Sequence, residues 1–264
     1  MNLIELILTG VTSIFVLGTP MYLYFRGRMS RSRIKKTTYS KRRVIKITLI
    51  NILVHFIALL LLFGLYFAVI ANTRTFNIEY IILSLLFFIL ITLIFYGGGI
   101  YVTSIVLEAY TIPELTKSEF FKTQLIAIKI FHHPISHILV FSGGLFAMLI
   151  LALLDLTVGN LTPTNIPLLI FAGFLGGVFY AYAQIHNGTA IFQIPAGLIC
   201  LALLFLGIHF QKSSIYQTTL GIYFLTALIM FDLSLLIYIL SLKRRNKKII
   251  KPLAEIHPIT PIST

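Results

Sequence analysis

Long uncharged, apolar runs constrain the fold of this chain more than any other feature. Residues 6–25, 47–73, 80–107 and 130–154 contain no Asp, Glu, Lys or Arg, and neither does the stretch from Leu156 to Gln211. A helix that crosses a bilayer needs about 20 predominantly apolar residues. The first four runs are each long enough for one crossing, and the fifth is long enough for two. The sequence therefore predicts an all-α integral membrane protein.

The overall composition agrees with this interpretation. Of the 264 residues, 58% are hydrophobic and 11% are charged, and the mean hydropathy is +0.96. Soluble domains are about 45–50% apolar and about 25% charged. A soluble core could not bury so much apolar surface, so lipid is expected to be the main solvent. The net charge of +13 comes from basic residues beside the apolar runs, where they orient a membrane protein, so no nucleic-acid partner is predicted.

Polar interruptions at 157–165 and 184–188 leave two spans in the last long run. A further apolar stretch, 220–242, whose only charge is Asp232, brings the predicted number of spans to seven. Residues 1–242 are predicted to form one seven-span membrane domain, and residues 243–264 a basic tail. The spans are expected near 3–25, 47–71, 80–107, 135–156, 166–183, 189–209 and 220–242.

The basic residues predict an orientation. The loop 26–46 holds ten Lys or Arg, the tail six, and the segment from Glu108 to Lys129 three, nineteen of the 21 in the chain. With seven spans all three segments lie on one side of the membrane. Loops rich in Lys and Arg remain cytoplasmic, so we expect the N-terminus outside and the C-terminus in the cytoplasm. A bacterial plasma membrane is the predicted location, with an organelle membrane as the alternative.

The densest group of potential ligands is the segment FHHPISH at 131–137. Proline suits the first turn of a helix, so span four is expected to begin near Pro134. Histidine and carboxylate side chains are typical zinc and iron ligands. A metal site is therefore predicted from four histidines and two acids of the cytoplasmic side, the acids serving as ligand or general base: His132, His133, His137 and His186, with Glu108 and Glu114. Haem bound by His55 and His137 is a less favoured alternative.

The same segment permits two other interpretations. The free N–H groups of a helix start bind anions, so Ser136 and Lys129 are candidates for holding a phosphate or a lipid headgroup. These residues can also be plain interfacial side chains that cap a helix and contact water. The single cysteine, Cys200, excludes a disulfide within the chain and a cysteine-rich zinc site.

A second candidate site lies inside the membrane. Asp232 falls near the middle of span seven, and an ionisable residue at that depth is expensive, so a functional role is the default hypothesis. His55 in span two is predicted at a similar depth. An Asp232–His55 pair would relay protons or bind a cation. The alternative is a protonated Asp232 that makes one hydrogen bond between helices.

Three functions follow from these features. The first is a non-catalytic component of a larger membrane complex, with anionic lipid headgroups and other membrane subunits as partners of the basic segments. The second is a metal-dependent enzyme that acts on a lipid-like substrate at the cytoplasmic interface. The third is a proton-coupled transporter built on Asp232 and His55.

Overall fold

The computed structural model of the chain is helical throughout the part that it describes, and no strand occurs there. The described residues are 3–13, 16–17, 41–71, 77–115, 121–158, 162–211 and 215–244.

Eight α-helices follow one another along these residues. They are α1 (Leu3–Ser13), α2 (Lys41–Ile70), α3 (Ile78–Leu115), α4 (Phe121–Ile130), α5 (Ser136–Val158), α6 (Ile166–Asn187), α7 (Ala190–Gln211) and α8 (Thr219–Arg244). A π-helical turn, Phe131–Ile135, joins α4 to α5, and a 3₁₀ turn, Ile215–Gln217, precedes α8.

Six of these helices are long and apolar enough to cross a membrane: α2, α3, α5, α6, α7 and α8. Their outward faces carry large apolar side chains, such as Ile78 and Phe210, which are 69% and 76% exposed. Apolar side chains of this kind suit contact with lipid, and the backbone polar groups in the middle of each helix bond within the helix. The chain is therefore an integral membrane bundle, and six predicted spans are confirmed as helices. The remaining predicted span, 3–25, is described only in part: residues 3–13 form α1, and residues 14–15 and 18–25 lie outside the described part.

The two ends of the bundle differ in chemistry. At one end, called here the acidic end, Asp155 accepts a hydrogen bond of 2.8 Å from the backbone N–H of Leu220, and Glu79 accepts one of 3.0 Å from Gln211. At the opposite end, called here the hairpin end, α6 turns directly into α7. Gly188 makes this turn with φ of 72°, a conformation that favours glycine.

Helix α5 lies at the centre of the bundle. It packs on α2, α3, α7 and α8, and half of the residues in its most apolar stretch are buried inside the bundle. Helix α6 packs most extensively against α8. There Gly173 and Gly177 lie one turn apart and bring the two backbones into direct contact at Tyr223 and Ala227. Small residues allow this close approach in membrane helices.

The structure differs from the sequence prediction at Pro134. No helix begins there, because α4 continues through the π-helical turn into α5. The backbone N–H of Ser136 bonds to the carbonyl of Phe131, five residues earlier. A π turn tolerates the proline because the wider ring accommodates its missing N–H. Span four therefore begins at Ser136, close to the expected position, but without the free helix start that the proline suggested.

Candidate functional site

Asp232 occupies a gap in the backbone surface of α7. A Cβ atom added to Gly197 would lie 2.0 Å from Oδ1 of Asp232 and 2.8 Å from its Cγ. The carboxyl group therefore lies directly on the glycine backbone, where any larger residue would displace it. Both carboxyl oxygens are buried, and neither has a hydrogen-bond partner among the described residues. A buried carboxyl without partners is costly, so this arrangement needs a reason beyond packing.

Gln193 supplies a second buried polar group, one helical turn from Gly197. Its side chain is fully buried, and its Oε1 accepts a hydrogen bond of 3.2 Å from the hydroxyl of Ser142 on α5. Its Nε2 is also buried and has no partner in the described part of the chain. Gln193 and Gly197 lie four residues apart on α7, so the unused donor on Gln193 is about one turn from the glycine that the Asp232 carboxyl contacts.

These residues belong to a buried stripe of polar and small residues, called here the polar stripe, that begins one residue before α7. The stripe consists of Thr189, Gln193, Gly197 and Cys200, which recur every three or four residues and are all buried. It begins at the hairpin end and extends for about 16 Å, given the rise of about 1.5 Å per residue. The next residue on the same face is Leu204, which is fully buried and apolar. Asp232 therefore lies near the inner limit of the polar stripe.

The hairpin end of the stripe carries a further buried amide. Gln184, in the last turn of α6, is fully buried, and its Oε1 accepts a hydrogen bond of 2.7 Å from the hydroxyl of Thr189. Its Nε2 has no partner among the residues that the structure describes. Buried amides in such positions usually bond to water.

A separate cluster brings together three predicted histidines around Tyr101 of α3. The Tyr101 ring centroid lies 5.1 Å from those of His132 and His137, and 6.0 Å from that of His55. His137 also stacks on Phe141, with ring planes 10° apart. At these distances the three imidazole rings pack around the phenol ring as one aromatic cluster.

The predicted metal site is only partly described. Within the described side chains, no three His, Cys, Asp or Glu residues are close enough to share a metal ion. His186 lies in the last turn of α6, exposed, and His132 and His137 lie around Tyr101. The side chains of His133, Glu108 and Glu114 lie outside the described residues. A zinc, iron or haem site at this segment therefore stays a prediction.

The predicted anion site loses the geometry on which it depended. Ser136 is fully buried, and its hydroxyl donates to the carbonyl of His132 one turn earlier. Lys129 is buried at the end of α4. Because the helix runs through Pro134, the N–H of Ser136 is bonded within it. An anion held by Ser136 and Lys129 stays a prediction without the free helix start.

The structure gives Asp232 and His55 different neighbours. His55 on α2 contacts α3, where its ring lies 3.0 Å from the position that a Cβ on Gly98 would take. Asp232 on α8 contacts α7 at Gly197. The predicted pair rested on similar depth alone, and direct pairing of the two side chains stays a prediction.

An apolar groove of about 1040 Å³ lies between α3 and α4. It extends from Thr92 to Leu107 on α3, and its other wall runs from Gln124 to Phe131. Gly99 lines the groove, and a Cβ at this glycine would meet nothing within 4 Å.

No protein-family model matches the chain, and neither a curated protein nor a solved structure resembles it significantly.

The sequence prediction identified Asp232 but missed the residues around it. Gln193 and Ser142 are isolated polar residues within apolar runs, and the rule that selected Asp232 also applies to them. Tyr101 and Gly197 carried no comparable signal, because their importance depends on which helix faces meet.

Proposed function

We propose that the chain crosses the membrane seven times, with the acidic end outside and the hairpin end in the cytoplasm. The support for a seventh span comes from α1. Glu5 is fully buried and accepts hydrogen bonds from the backbone N–H groups of Thr164 and Asn165, at 2.6 and 3.0 Å. Seven residues later, Thr12 donates to the carbonyl of Ala172, at 3.3 Å. Helix α1 thus runs parallel to α6 from the acidic end, as an outside N-terminus requires.

The charge distribution supports the orientation. Helix α8 ends at the hairpin end with Lys243 and Arg244, where the basic tail follows. Reporter fusions test the proposal. A fluorescent protein fused to the C-terminus is expected to fold and fluoresce in the cytoplasm, and an N-terminal epitope to be accessible from outside. Both termini on one side would contradict seven spans. A bacterial plasma membrane as the source stays a prediction.

We propose further that the protein moves protons or small cations, with Asp232 as the group that binds them. One observation carries this proposal: both oxygens of a carboxyl inside the membrane are buried and have no partner in the described residues. A carboxyl that served packing alone would be expected to bond to a neighbouring helix. Gly197 makes room for the carboxyl, and Gln193 offers a nearby donor. A group that must gain and lose a proton benefits from the absence of strong permanent bonds.

Proton flux in reconstituted vesicles tests the transport proposal. The purified chain is placed in vesicles that contain a pH-sensitive dye, and a potassium diffusion potential drives protons inward. Asp232→Asn is expected to abolish the flux, because an amide does not bind and release protons near neutral pH as a carboxyl group can. Glu79→Gln, a matched change in an exposed carboxyl at the acidic end, is expected to preserve it. Equal flux in the two variants, or no flux above empty vesicles in the wild type, would contradict the proposal.

A role within a larger membrane assembly is the second candidate, because nineteen of the 21 basic residues belong to three segments at one end of the predicted topology. Gentle extraction followed by mass measurement tests it. A particle that contains only copies of the 29.8 kDa chain would contradict it.

The metal-dependent enzyme is a third candidate that rests on the histidine segment. Elemental analysis of the untagged protein tests it. Near-stoichiometric zinc or iron that disappears in His137→Ala would support the site, and metal-free folded protein would exclude it.

A further inference from the structure

We infer that water and protons reach Asp232 from the hairpin end only, along the polar stripe formed by Thr189, Gln193, Gly197 and Cys200. The inference rests on the transport proposal and assigns a direction to it. Its basis is the asymmetry of the buried groups on the two sides of Asp232.

Toward the hairpin end, polar atoms follow one another at intervals of about one helical turn. Gln184 and Gln193 are fully buried, and each has an Nε2 atom without a partner in the described part of the chain. The Oε1 of Gln184 accepts from the hydroxyl of Thr189, and the Oε1 of Gln193 accepts from the hydroxyl of Ser142. Buried polar groups that are left unbonded by protein are the usual partners of internal water. The stripe therefore has the chemistry of a water path.

Toward the acidic end, the next buried residues in line with the stripe on α7 and with Asp232 on α8 are apolar. On α7 the buried face continues with Leu204, and on α8 the residues one and two turns before Asp232 are Leu228 and Phe224. These three side chains are at most 3% exposed. Closely packed side chains without polar atoms offer water no partners. This layer would keep a proton on Asp232 from leaving at the acidic end in the conformation described.

The single cysteine of the chain makes this path measurable. Cys200 is fully buried and lies on the stripe three residues after Gly197. A small, charged methanethiosulfonate reagent modifies only thiols that water reaches. The reagent is added to one side of reconstituted vesicles at a time, and labelling is followed by intact mass. An epitope at the C-terminus, which follows α8 at the hairpin end, identifies the side.

The test compares three positions at increasing depth. The native Cys200 and Gln193→Cys in a Cys200→Ser background are expected to react from the hairpin side and not from the acidic side. Leu204→Cys in the same background is the matched control, and it is expected to stay unmodified from either side. Labelling at position 204, labelling from the acidic side, or protection of either position 193 or Cys200 from the hairpin side would overturn the inference.

The labelling result and the flux result can fail independently. Hairpin-side labelling with unchanged flux in Asp232→Asn would retain the path and remove the transport role. Loss of flux in that variant with labelling from the acidic side would retain the role and reverse the path.

A different observation points to a lipid site. We propose that the groove between α3 and α4 holds one acyl chain of an anionic phospholipid. From Thr92 to Leu107 the groove extends about 22 Å along α3. One leaflet of the hydrocarbon core is about 15 Å thick, so the groove is long enough to hold an extended acyl chain. Its volume of about 1040 Å³ is sufficient for a long chain, and its lining is largely apolar.

Charge selects the headgroup. The groove reaches beyond the last residue of the α3 span, Ser104, to the side of the predicted topology that holds the basic tail. The loop 26–46 adds ten basic residues on the same side of the predicted topology. A headgroup at this depth meets positive charge, which favours an anionic lipid over a zwitterionic one.

Native mass spectrometry tests the lipid site. The protein is equilibrated with equal amounts of phosphatidylglycerol and phosphatidylcholine, and the retained lipid is identified. The wild type is expected to retain one phosphatidylglycerol. Gly99→Leu places a side chain into the groove and is expected to lose it. Gly10→Leu, also at a glycine with open space around it, is the control and should retain it. Equal retention in the two variants, or equal retention of both lipids, would overturn the proposal.

Discussion

The contact between α6 and α8 gives the sharpest test of the packing, through Gly177→Ala. A Cβ at Gly177 would lie 2.2 Å from the carbonyl oxygen of Ala227, where ordinary contact begins at 3.4 Å. The two backbones would have to separate locally by about 1.2 Å. The obstructing atom belongs to a helical backbone and cannot rotate away. The added methyl group therefore disturbs the whole interface.

The expected cost follows from two opposing effects. Overpacking of a close interface costs about 1–3 kcal/mol. Replacing glycine with alanine in a helix contributes up to about 1 kcal/mol in the opposite direction. Gly99→Ala isolates the second effect, because a Cβ there meets nothing within 4 Å. The difference in unfolding free energy between the two variants removes the propensity term and should be about 1–3 kcal/mol.

Unfolding in mild detergent, followed by the loss of helical circular dichroism during titration with a denaturing detergent, measures this difference. In a heat scan, about 1 kcal/mol corresponds to a midpoint shift of about 2–4 °C for a chain somewhat smaller than this one. If Gly177→Ala proves as stable as Gly99→Ala, the backbone contact between α6 and α8 is not present as described. In that case the rotation of both helices must be revised.

Two further predictions concern the acidic end. Glu5→Gln should destabilise the bundle by about 1–3 kcal/mol. The amide oxygen can still accept from the N–H groups of Thr164 and Asn165, which both bond to Oε1, but the amide nitrogen cannot accept from the Thr164 hydroxyl, which bonds to Oε2. A shift in the unfolding midpoint measures the loss, and an unchanged midpoint would contradict docking of α1. Asp155→Ala should cost about 0.5–2 kcal/mol by removing the acceptor for the N–H of Leu220. Asp155→Asn should recover most of that stability in the same assay. Equal stability of the two variants would contradict the hydrogen bond from the N–H of Leu220 to Asp155.

The positions of the spanning helices were predictable because bilayer thickness limits them. The span expected at 135–156 is α5, Ser136–Val158, and the span expected at 189–209 is α7, Ala190–Gln211. The length of each uncharged run indicates where a spanning helix lies, and no knowledge of tertiary contacts is needed. The free helix start expected at Pro134 is absent for a local reason, although the span itself begins at Ser136. A π turn satisfies the backbone around a proline, and the sequence does not distinguish it from a break.

The surroundings of Asp232 were not predictable in the same way. Its depth in the membrane follows from counting residues, and this was enough to identify it as a candidate. Its neighbour depends on how α7 and α8 rotate about their axes, and apolar faces of similar composition give little information on rotation. Gly197 and Gln193 become significant only once the two faces meet.

The buried acids of this bundle differ in what surrounds them, and that difference supports the transport proposal. Glu5 and Asp155 are fully buried, and each bonds to backbone N–H groups beside the start of α6 or α8. Such carboxylates stabilise helix starts, and protonation would weaken them. Asp232 lies mid-helix, far from any helix start, where the backbone N–H groups are already used. Its carboxyl has no comparable bonds to lose among the described residues. Of these three acids, Asp232 is therefore the one that can change its protonation state with the least disturbance to the fold.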